Sequence, residues 1–90
     1  MPTVYLPTIM RAHTGGSSTV TVSGTTISDT IQSLVEDFPN LRPKVYGPDG
    51  ALLRHVIVVL NGEDVRCLQG VLTPVGDNDE LQLLLAMAGG

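Results

Sequence analysis

Ninety residues, 42% hydrophobic and 16% charged, make one globular domain with a single small core and little room for an enclosed catalytic cleft besides. A formal charge of -4, with only five scattered Lys and Arg residues, excludes a nucleic-acid binder and suits an acidic module that docks on a protein. One cysteine, Cys67, excludes an internal disulfide, and the apolar runs Val56–Leu60 and Leu83–Ala88 are too short to span a bilayer; a cytoplasmic protein without a membrane partner is expected.

In chain order, Thr3–Ile9 reads as a short strand whose Pro7, lacking an N–H, marks an edge or a bulge. His13–Ser18 is a turn cluster, and Thr19–Ser23 alternates with period two, the return strand of a hairpin. The only helical pattern follows, with Ile27, Ile31, Leu34, Val35 and Phe38 on one face. Thr26 with Asp29 three residues later resembles a capping box, and Pro39 stops the run. Asn40–Leu53 is punctuated by Pro43, Gly47 and the turn Pro48-Asp49-Gly50, and reads as a connection holding at most one short helical turn or strand. Val56–Leu60 is a β-branched strand closed by the hairpin signal Asn61-Gly62, with Glu63–Arg66 starting the return. After turns at Thr73-Pro74 and Gly76–Asp79, Glu80–Met87 forms the closing strand. Its leucines fall on both parities, which predicts a central strand covered on both faces. The order predicts an α+β fold, a mixed sheet of four to five strands packed on one main helix.

The chain ends Ala88-Gly89-Gly90 after that strand. A carboxylate on glycine has no β-carbon beside it, so it can pass through a narrow channel, be activated there and carry a transferable group. This points to a carrier, with Gly90 bearing the group and Gly89 and Ala88 keeping the tail slender enough to be recognised. Residues 87–90 are expected to be a flexible tail on a single domain spanning 1–90. One helix covers one sheet face, so Ile57, Val59 and Leu84 are candidates for a partner-docking patch, unless the 40–53 loop covers them. Cys67 has no His near it in sequence and reads as a small buried hydrophobe. His13 and His55 are too isolated for a metal site, and none is expected. His13–Ser17 reads as a turn needing positive φ rather than a phosphate cradle; Glu63-Asp64 and Asp77–Asp79 read as solvated turns.

Three segments together resemble the ThiS/MoaD family of ubiquitin-like sulfur carriers: Leu60–Arg66, Leu72–Leu81 and Ala86–Gly90. Pro7–Arg11 with His13–Gly16 is similar to the members that supply sulfur for cysteine synthesis. The resemblance implies a β-grasp fold and a protein that is a cosubstrate, with no bound cofactor and no catalytic residue. Its implied partners are an adenylating enzyme of the ubiquitin-activating type that uses ATP and magnesium on Gly90, a sulfur-accepting synthase such as a cysteine synthase, and a metal-dependent peptidase. Family alternatives are the small subunit of molybdopterin synthase and the thiamin thiazole carrier; an alternative of another class is a ubiquitin-like protein modifier. Two positions depart from the pattern: Asn78 stands where the family has Gly, and Leu84-Leu85-Ala86 lacks the usual Pro before the tail.

Overall fold

A computed structural model describes residues 1–86. The strands are β1 (Thr3–Tyr5), β2 (Thr19–Thr21), β3 (Val56–Leu60), β4 (Glu63–Asp64) and β5 (Glu80–Leu85); the helices are α1 (Ile27–Asp37) and the single turn α2 (Arg42–Val45). The sheet order is β2-β1-β5-β3-β4. β1 is antiparallel to β2 and parallel to β5, while β3 is antiparallel to both β5 and β4. This is the β-grasp arrangement, with the last strand central as its apolar composition predicts.

Local chemistry accounts for most boundaries. The Thr26 hydroxyl accepts the Asp29 N–H at 3.1 Å, which caps α1, and the helix closes at Phe38 just before Pro39. Asn61 (φ 51°) and Gly62 (φ 88°) both take positive φ, the backbone that a two-residue hairpin with matching twist requires. Ile27, Ile31, Leu34 and Val35 of α1 pack with Val4, Val58, Leu81 and Leu83 of the sheet, all at most 3% exposed. The 40–53 connection holds α2 and a bridge between Tyr46 and Leu52, and no longer element.

Three expectations are corrected. The first strand stops at Tyr5, and Thr8–His13 is a 3-10 helix instead. Pro7 cannot extend the ladder; its fixed φ of -66° starts the new turn, and Met10, fully buried, anchors it in the core. β5 is covered on one face only: Leu81 and Leu83 are buried, whereas Leu84 points the other way and is 38% exposed. One helix cannot cover both faces of the sheet. Cys67 is exposed, because it ends a short 3-10 helix whose inward residue is Val65.

Candidate functional site

The sheet face opposite α1 gathers the predicted docking residues. The register sets Ile57 opposite Leu84 and Val59 opposite Gln82, and Gln82 is in turn opposite Tyr5 of β1. Ile57 and Val59 are half-buried, and Tyr5 and Leu84 are exposed. All three docking candidates therefore share one open face. The 40–53 loop does not cover it: Leu52 and Leu53 pack against the core side, and Leu53 N–H bonds to the Val45 carbonyl.

A groove of about 650 Å³ opens beside the C-terminal half of β5, between it and the segment after β1. Tyr5, Ile9, Arg11, Leu84 and Leu85 contribute to its walls, and Ile9 is 60% exposed. The sequence alone places Ile9 in a strand and outside any site; only the 3-10 turn after Pro7 brings it to this rim. The Arg11 Nε–H donates to the Leu6 carbonyl at 3.1 Å, holding the guanidinium in the wall.

The opposite end of β5 is acidic and heavily hydrogen bonded. Asn61 Nδ2 donates to Asp79 Oδ1 at 3.0 Å, Glu80 N–H donates to Asn61 Oδ1 at 2.9 Å, and Gly76 N–H donates to Asp79 Oδ2 at 2.7 Å. The Gly76 N–H, with Asn61 second, holds the Asp79 carboxyl below the usual aspartate range. Asp64 is lowered chiefly by the Arg66 side chain, which donates to its carboxylate at 2.6–3.1 Å. Tyr5 Oη donates to Glu80 Oε2 at 3.1 Å, and this bond, with the carboxylate's charge, pushes the phenol pKa up.

β5 ends where Ala86 N–H donates to the His55 carbonyl at 2.8 Å. Ala86, the last described residue, therefore lies beside His55. Ala88, Gly89 and Gly90, the predicted tail and group-bearing residues, lie outside the described residues. His55 is exposed and far along the chain from half-buried His13, and among the described residues no three His, Cys, Asp or Glu side chains gather for a metal. No described helix is long and apolar enough to cross a membrane. A second exposed apolar group, Leu68, Val71 and Leu72, follows Cys67 on the 3-10 turns that pack near α1. Sequence reading missed it, since the segment has no periodicity.

The ThiS family model matches residues 4–90. The chain belongs to the ThiS family. Likeness to individual members runs from end to end. The sulfur carrier protein CysO of Mycobacterium tuberculosis is 39% identical over 90 residues, covering 98% of this chain and 97% of CysO. The small archaeal modifier protein 1 of Haloferax volcanii is 38% identical over 82 residues, covering 88% of this chain and 90% of its own. Among solved structures, a chain of the Amycolatopsis orientalis BexX/CysO complex superposes with a TM-score of 0.88 at 36% identity, with both chains covered completely. In this ThiS-family chain, then, both sequence and fold are CysO-like, and the β-grasp is shared.

Proposed function

We propose that this protein is a sulfur carrier whose Gly90 carboxylate is adenylated and then converted to a thiocarboxylate, with the sulfur passed on in cysteine synthesis. The observation that carries this reading is the end-to-end likeness to CysO together with a family match that runs through Gly90. The protein is a cosubstrate and no catalyst. On an activating enzyme the Gly90 carboxylate oxygen attacks the α-phosphate of magnesium-bound ATP, and pyrophosphate leaves. A sulfide-level donor then attacks the carbonyl carbon, the C–O bond to AMP breaks, and the sulfur keeps the negative charge. Without this activation the carboxylate is too poor an electrophile for sulfur attack. The thiocarboxylate sulfur displaces phosphate from an activated serine such as O-phosphoserine on a synthase, forming a thioester; the amine of the new cysteine then takes the Gly90 acyl group from its own sulfur, and a metal-dependent peptidase hydrolyses the resulting amide, freeing cysteine and restoring the Gly90 carboxylate. Ile57, Val59 and Leu84 would dock these enzymes, and Gly89 and Ala88 would let the end of the chain enter their channels.

The test is mass spectrometry of the protein isolated from its own host, on the tryptic peptide 67–90 that follows the last basic residue, Arg66. Exchange of one oxygen for sulfur at Gly90 is expected; an unmodified Gly90 in cells that contain the activating enzyme would sink the reading. Gly89→Val should abolish the exchange while leaving thermal melting unchanged.

The likeness to small archaeal modifier protein 1 favours a second reading, conjugation of Gly90 to lysines of other proteins. It would show as peptides in which Gly90 is joined to a lysine Nζ.

A further inference from the structure

The open sheet face is electrically polarised along β5. Glu80 and Asp79 sit at the start of the strand with no basic partner among the described residues, while on the adjoining hairpin Asp64 is ion-paired with Arg66 and Glu63 stands opposite inward-facing Leu60. Beside its other end, the groove contains one charged side chain, Arg11, and no carboxylate. Arg54 and His55, both exposed, flank the opposite side of the same end, where Ala86 meets His55. Arg11 is half-buried and fixed by its Nε–H bond to Leu6, and among the described residues its two terminal nitrogens make neither a hydrogen bond nor an ion pair. A guanidinium anchored through Nε and bordered by Ile9, Leu84 and Leu85 is a pre-oriented fork for a carboxylate beside an apolar side chain.

We propose that this groove receives an apolar side chain of the adenylating partner flanked by a carboxylate that pairs with Arg11, so a protein of net charge -4 docks through its locally positive end. The proposal rests on the carrier reading and adds to it the chemistry of the partner's rim. Pairing at Arg11 gives register, because the acidic start of β5 repels the same carboxylate and only one direction of approach brings the chain beyond Ala86 to the partner's channel.

The experiment is ATP–pyrophosphate exchange with the purified adenylating enzyme of the same host, as a function of carrier concentration and of KCl. Arg11→Gln keeps a donor for the Leu6 carbonyl and removes the charge. It is expected to raise KM for the carrier at least ~10-fold, with kcat falling less than KM rises. Wild-type KM should rise as KCl goes from about 50 to about 500 mM, and the Arg11→Gln KM should rise less. Arg66→Gln, whose partner is Asp64 outside the groove, should leave KM unchanged. An Arg11→Gln KM within about twofold of wild type overturns the proposal and leaves the carrier reading standing. So does a wild-type KM that salt leaves flat or lowers, an outcome that needs no variant to fold. Absence of exchange with the wild-type protein overturns the carrier reading and this proposal with it.

Discussion

Gly24→Ala should be strongly damaging, because among the described glycines only here would a β-carbon come within 3.0 Å of other atoms. Gly24 lies between β2 and the cap of α1, and a β-carbon there would collide with Thr30 Oγ1 and stand 2.7 Å from both the Thr30 N and Cα. The hydroxyl could rotate, but the two backbone atoms cannot. Thr30 is fully buried, and its hydroxyl already donates to the Thr26 carbonyl at 2.7 Å. The loop cannot yield easily either: Val75 N–H donates to the Thr25 carbonyl at 2.9 Å and Ile27 N–H to the Thr73 carbonyl at 3.0 Å. Overpacking costs about 1–3 kcal/mol, and a site pinned on both sides belongs at the upper end, about 3 kcal/mol. At about 4–8 °C per kcal/mol for a domain of this size, Tm should fall by roughly 12–24 °C. Urea unfolding followed by circular dichroism measures the loss, with an unchanged m-value confirming that the native fold is still the reference. Adding Thr30→Ala removes the hydroxyl and leaves both backbone contacts, so it should restore little. A Gly24→Ala cost below about 1 kcal/mol, or recovery of most of it by Thr30→Ala, would refute the argument.

Other perturbations separate the open face, proposed for docking, from the framework that holds it. Leu84→Asp, on the open face, should change Tm little and raise KM for the carrier in pyrophosphate exchange by about tenfold or more; an unchanged KM would remove Leu84 from the interface. Asn61→Ala loses both side-chain bonds that clamp the start of β5 and a residue suited to positive φ, and should cost about 1–3 kcal/mol in urea unfolding. Asp79 has a folded pKa below its unfolded value, so its stabilisation is present above the ordinary aspartate range and is lost as pH falls through the depressed value. Asp79→Asn should therefore flatten the acid limb of a Tm-against-pH curve, and a limb of unchanged slope would contradict the assignment.

Sequence pattern carried the elements whose chemistry is local. The α1 face, its Thr26 cap, the Asn61-Gly62 hairpin and the central place of β5 all follow from residues close together in the chain. Ile57, Val59 and Leu84 were legible as surplus apolar residues, because a single helix leaves one sheet face bare. Features that need distant partners were not legible. Leucines on both parities of β5 suggested two covered faces, and only the topology shows that Leu84 faces outward. The β-rich composition ran on through Thr8-Ile9, hiding a 3-10 turn that Met10 anchors from the core, and with it the groove rim at Ile9 and Arg11. Gly24 carries no turn signature, since its need is space against Thr30 and no special φ. Cys67 looked like core material by type, and its exposure depends on which residue of a three-residue turn faces inward.

The central position of β5 also has a mechanical meaning. The strand is bonded to β3 along its whole length and to β1 over its first half, with Ala86 tied to His55 beyond it. The antiparallel bonds to β3 lie across the strand axis, so a pull along that axis loads them together in shear, and a central strand shares the load between two neighbours where an edge strand has one. A partner that grips the end of the chain thus tugs on the best-braced strand in the protein. A domain braced in this way resists unravelling when its end is pulled.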